Sequence, residues 1–152
     1  MRVEAQSKAG SGTYLLMLSA DTRAAVQIGR WGVLAIKPGY YLYVGSAFGP
    51  GGVPARVARH CREAKKKHWH IDYLREAATV SSVWYSQAGN RLEHRWAQAL
   101  SEWSEAEPVQ GFGCSDCSCE AHLFHLKRPA TKAGISEIVG SKVKAWSCDK
   151  TV

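Results

Sequence analysis

Gly39-Tyr40-Tyr41-Leu42-Tyr43-Val44-Gly45-Ser46-Ala47 is followed at once by Phe48-Gly49-Pro50-Gly51-Gly52 and then by Val53-Pro54-Ala55-Arg56-Val57-Ala58-Arg59-His60-Cys61. Aromatic and branched residues from Tyr40 to Val44, introduced by the Pro38-Gly39 turn, predict a strand. The Gly/Pro-rich run breaks the chain. Beyond it, Val53, Val57, Cys61 and Ala64 recur at spacings of four and three, which predicts a helix from about Val53 to Lys67 with an apolar stripe toward the core. Arg56, Arg59, His60, Glu63 and Lys67 share an adjacent face of that helix. Strand, break and basic helix set the character of the fold.

Working outward, Thr13–Leu18 is continuously apolar and reads as a buried strand, with Ala24–Ile28 as a second. With Tyr40–Val44 these predict a small antiparallel meander. Downstream, a short helix is expected over Trp69–Ala77 and a strand over Val80–Tyr85. Leu92, Trp96, Ala99, Leu100 and Trp103 mark an amphipathic helix. A Cys-rich loop, Gly111–Glu120, and a short strand, His122–Leu126, follow. Without regular βαβ alternation, the order predicts an α+β domain: an antiparallel sheet of three or more strands flanked by helices. The expected divisions are a disordered lead-in at 1–11, one domain at 12–126, and a loosely packed basic tail at 127–152.

Composition narrows the function classes. The chain has 152 residues, 45% hydrophobic and 22% charged, enough for one domain with a core. No apolar run approaches the ~18–20 residues of a membrane span, and residues 1–11 have no signal-peptide core. A cytoplasmic protein is expected. Five cysteines, an odd number, argue against a disulfide framework and for reduced thiols, metal ligands or buried residues. Lys+Arg outnumber Asp+Glu by 20 to 13, for a net charge of +7. The excess concentrates in Arg56, Arg59, Arg62, Lys65, Lys66 and Lys67, opposed only by Glu63, a pattern suited to nucleic acid.

Two short motifs frame the first and third strands: Gly12-Thr13-Tyr14 and Tyr43-Val44-Gly45. Neither means anything alone, since strand tyrosines usually pack. Together with Arg56, His60 one turn later on the same face, and Glu93 near the start of the later amphipathic helix, they resemble the GIY-YIG nuclease superfamily. The runs from Gly39 to Ala47, Gly49-Pro50-Gly51-Gly52, His68-Trp69-His70-Ile71-Asp72-Tyr73-Leu74 and Gly111-Phe112-Gly113-Cys114-Ser115-Asp116-Cys117 look like a subgroup of short GIY-YIG proteins, some fused to DNA-repair glycosylases. The likeness spans about residues 12–126. Departures are the long separation of the two tyrosines, the Gly-rich insert before Arg56, and Thr13 where the family has Ile.

The resemblance implies a metal-dependent endonuclease that cuts DNA, with irregular or damaged DNA in repair as the expected substrate. Glu93 would hold Mg²⁺ or Mn²⁺ through a carboxylate oxygen. Arg56 would grip phosphate with its planar fork. Tyr14 would act as general base or orient the water, although a phenol of pKa ~10 needs that value lowered to serve. Tyr43 would hydrogen-bond water or phosphate, and His60 would relay a proton or touch phosphate. Arg59, Arg62, Lys65, Lys66 and Lys67 would line the DNA path. The rival reading is a non-catalytic nucleic-acid-binding module. Cys114, Cys117, Cys119 and His122 form a second constellation. It reads either as a tight Zn²⁺ set or as loop thiols, and the residues leave both open.

Overall fold

In the computed structural model, residues 10–49, 51–61, 70–87, 91–112 and 121–147 are described. The protein is α+β. Strand β1 (Gly12–Ala20) is buried along nearly its whole length, because it lies inside a six-stranded antiparallel sheet with helices on both faces. Around it stand β4 (Gly39–Ala47), β5 (Thr79–Ser86), β6 (Glu107–Pro108), β7 (Leu123–Leu126) and β8 (Lys144–Trp146), in the order β6-β7-β4-β1-β5-β8. Alternate side chains of β1 serve two cores. Tyr14, Leu16 and Leu18 face α1 (Gly52–Cys61) and α2 (His70–Leu74). Leu15 and Met17 face α3 (Glu93–Ser101) and α4 (Lys132–Val139), with Trp96, Leu100, Ile135 and Val139.

The expected meander is not formed. β2 (Ala24–Ile28) leaves the main sheet and pairs with β3 (Gly32–Ile36), a strand the pattern did not mark, in a separate two-stranded sheet. Only Val26, Ile28, Leu34 and Ile36 of this hairpin are buried, so it covers the core from one side instead of extending the sheet. β1 pairs directly with β4.

The tail departs most from expectation. Its composition predicts a loosely packed segment from Lys127. Instead α4 begins at Thr131, whose side chain accepts a hydrogen bond from the Gly134 amide, and ends at Gly140 in the left-handed region, φ 71°. Ile135 and Val139 are buried against α3, and β8 adds a strand beside β5. Cys61 is disulfide-bonded, contrary to the expectation of reduced thiols. An odd cysteine count says nothing about which thiols a fold brings together. No helix among the described residues is long and apolar enough to cross a membrane.

Candidate functional site at the Gly45–Ser46 end of the sheet

The two tyrosine motifs lie on adjacent strands. Tyr14 stands opposite Gly45, and Leu16 opposite Tyr43. Tyr14 and Tyr43 therefore share one face, with ring centroids 6.5 Å apart. Gly45 is the reason that the Tyr14 ring fits: a Cβ there would lie 2.4 Å from its Cζ and Oη. The glycine of one motif makes room for the tyrosine of the other. Phe112 packs edge-on against Tyr43, and His70 edge-on against Phe112.

Helix α1 crosses this face and brings His60 and Arg56 to it. His60 is fully buried, and its Nε2 lies 2.7 Å from the Tyr14 hydroxyl. Arg56 Nη1 donates to the Ser46 carbonyl at 2.9 Å. Burial pushes the Tyr14 phenol well above its ordinary pKa, against the charge and hydrogen bond of Arg56, while the negative charges of Glu93 and Asp72 add to the rise. Burial, the neighbouring Tyr14 and Glu93 raise Tyr43 too, again opposed by Arg56. Tyr14 is thus a protonated phenol at neutral pH. The Tyr14 hydroxyl and His60 Nε2 share one buried hydrogen bond, whose direction follows the His60 tautomer.

Glu93 reaches the same end of the sheet from the other face, as the first residue of α3. Its Oε2 lies 2.9 Å from His122 Nδ1, and its side chain is 24% exposed. Burial works to raise its pKa, but the hydrogen bond and charge of His122, a hydrogen bond from Ser46 and the charge of His94 outweigh that and lower it. Glu93 is an ionised, partly accessible carboxylate. Ser46 joins the two halves: its carbonyl accepts from Arg56 Nη1, and its hydroxyl donates to the Glu93 carboxylate. Thr13 completes the link. Its buried hydroxyl accepts from the Leu92 amide at 3.2 Å, at the start of α3, where no side chain of the helix itself provides a cap. Consecutive residues of β1 thus anchor opposite faces, Thr13 toward α3 and Tyr14 toward α1.

Tyr14, Tyr43, Arg56, His60 and Glu93 all gather around Gly45–Ser46. Sequence reasoning missed Thr13, Ser46 and the contact of His122 with Glu93. Ser46 stands directly after the second motif, while His122 follows the cysteine run and reads as its fourth ligand. Arg59, expected on the DNA path, forks onto the buried carboxylate of Asp72 at 2.8 and 2.9 Å. That pairing ties α1 to α2. Arg62, Lys65, Lys66 and Lys67, and Cys114, Cys117 and Cys119, lie outside the described residues.

Among the described residues no three His, Cys, Asp or Glu side chains are grouped as a metal cage. The donor that Glu93 offers is a single hard, ionised oxygen ligand. It suits Mg²⁺ or Mn²⁺, which take one or two carboxylates and complete their shell with water and phosphate.

The model of a family described as a domain of unknown function, DUF123, matches residues 13–144. No curated protein matches, and no solved structure does.

Proposed function

The chain belongs to the DUF123 family, and from the geometry of its site we propose that it is a cytoplasmic, metal-dependent DNA endonuclease of the GIY-YIG type. The observation that carries this reading is the convergence of a buried Tyr14–His60 hydrogen bond, Arg56 and an ionised Glu93 on one end of the sheet. Phosphodiester hydrolysis needs a route for the water's proton, a phosphate grip and neutralisation of developing charge. Those are the capacities of these side chains.

Glu93 would hold Mg²⁺ or Mn²⁺, which supplies charge neutralisation and a polarised phosphate when bound. Arg56 binds a non-bridging phosphate oxygen. Tyr14 is protonated, so it cannot take the water's proton unaided. It would orient the water through its oxygen and take the water's proton as its own passes to His60 Nε2. Tyr43, across from Tyr14, hydrogen-bonds water or phosphate. Zn²⁺ at Cys114, Cys117, Cys119 and His122 stays a separate proposal, testable by elemental analysis.

One observation favours the rival, a nucleic-acid-binding module without catalysis: Tyr14 is only 1% exposed, so its hydroxyl meets substrate only if the surface opens. Against that, a binding protein for a polyanion gains nothing from holding Glu93 ionised beside the basic residues. Nicking of supercoiled plasmid decides. Conversion to open circles with Mg²⁺ or Mn²⁺ and none with EDTA is the expected result. DNA retention without nicking across branched, damaged and intact substrates would establish the binding module.

A further inference from the structure

His122 stands immediately before β7, buried at the end of the sheet beside Glu93. It is a polar residue with a side chain 2% exposed. Its backbone is fixed at both ends: its amide donates to the Phe112 carbonyl, and its carbonyl accepts from the Val44 amide, each at 2.9 Å. Nδ1 lies 2.9 Å from Glu93 Oε2 and 3.4 Å from the Val44 carbonyl. Both neighbours of that nitrogen are acceptors, so it must carry the proton.

We infer that His122 is a positioning residue for Glu93: its Nδ1–H holds Oε2, orienting the carboxylate and leaving the second oxygen for a divalent cation. This rests on the metal-binding role proposed for Glu93. The physical reason is entropic as well as electrostatic. A glutamate on a helix's first turn has three rotatable bonds, and a lone carboxylate ligand binds a cation weakly unless it is held in advance. The imidazole N–H, anchored to β4 and to Phe112, supplies the hold, as outer partners commonly do for metal-bound carboxylates. Ser46 bonds the same carboxylate from β4.

The test separates position from polarity. An Asn side chain places an amide N–H near where Nδ1 stands. Gln places it near Nε2 instead. Both stay polar and close in size. Mn²⁺ alone is titrated into the full-length protein, without DNA, and free Mn²⁺ is read by electron paramagnetic resonance. His122→Gln is expected to lose about 10- to 100-fold in Mn²⁺ affinity while His122→Asn stays within about threefold of wild type. Equal affinities in the two variants, whether both lowered or both unchanged, would overturn the inference. If wild type binds Mn²⁺ and Glu93→Gln does not, the role of Glu93 stands whatever His122 does. If wild type binds none, the proposed metal site and this inference fall together. A second measurement needs no variant. The His122 ring proton is expected on Nδ1 by ¹⁵N-edited NMR and should stay there, with its resonance shifted, when Mg²⁺ is added; a ring protonated on Nε2 alone would overturn the inference.

Discussion

Tyr14 holds its proton because its hydroxyl is buried beside His60, and this makes a defined substitution informative. Tyr14→Phe leaves the ring and its fit against Gly45 in place and removes only the hydroxyl, stranding His60 Nε2. Loss of a buried partner costs about 1–3 kcal/mol of stability. If the hydroxyl orients water and relays its proton, single-turnover cleavage should also fall by ~10²–10⁴. A variant that is destabilised but cuts at the wild-type rate would reduce Tyr14 to a packing residue. Glu93→Gln addresses the other half of the site. It keeps shape and removes the charge a cation needs, so cleavage should fall by ~10²–10³, as for loss of a principal transition-state contact. DNA affinity by filter binding should hold or rise. Undiminished cleavage would take Glu93 out of the mechanism. At this scale the sequence was most legible where one residue type serves one chemistry. Tyr14, Tyr43, Arg56, His60 and Glu93 could all be named from motif order, and all five meet at Gly45–Ser46. Thr13 and His122 could not. Thr13 looked like a neutral exchange within a strand, and its partner Leu92 is 79 positions away. Arg59 looked like its basic neighbours, and only the fold shows Asp72 under it.

At the scale of elements, legibility followed burial pattern. β1 and β4 were readable as apolar runs, and α1 and α3 as helical stripes, because each carries its own periodicity. The β2–β3 hairpin is only half legible: β2 carries a strand pattern, but β3 begins at Gly32 in the turn itself, and nothing in either strand's pattern says that the pair forms its own sheet. β6, with two residues, is too short to leave a pattern. The contact between β1 and α3 is where an element-scale prediction belongs. Leu92 N–H is one of the donors that a helix start leaves without an intrahelical acceptor, and Thr13 from a different strand accepts it. Thr13→Val is isosteric and deletes that acceptor. It should cost about 1–2 kcal/mol. Faster hydrogen exchange should be confined to the first turn of α3, and Mn²⁺ affinity should fall through Glu93. Thr13→Ser should restore both. If Thr13→Val loosened all elements equally, Thr13 would be an ordinary core residue.

The largest misreading concerns the whole molecule, and it yields the sharpest test of how the molecule holds together. The chain after Leu126 was expected to be a loose basic tail because Lys127, Arg128, Lys132, Lys142 and Lys144 dominate its composition. Yet Thr131 and Gly140 are the start and stop signals of a helix, and Ile135, Ile138 and Val139 fall at helical spacing between them. Charge on the outer face hid the apolar one. In the structure Ile135, Val139 and Val143 are buried in the same cluster as Trp96, Leu100 and Trp84. The Ala130 amide donates to Met17 Sδ, and Trp96 Nε1 donates to the Ser141 hydroxyl. Each of the three aliphatic side chains is worth about 1.5–3 kcal/mol when buried, and a domain of this size has only about 5–15 kcal/mol in hand. A chain ending at Leu126 should therefore fail to fold cooperatively, showing no two-state urea transition. The milder Ile135→Ala should remain folded and lose about 2–5 kcal/mol. Its effect on exchange should centre on α3 and α4, leaving the Tyr14–His60 face, on the other side of the sheet, close to wild type. A truncated chain that melts like the full-length protein would mean that α4 and β8 are appended to the sheet and do not belong to its core.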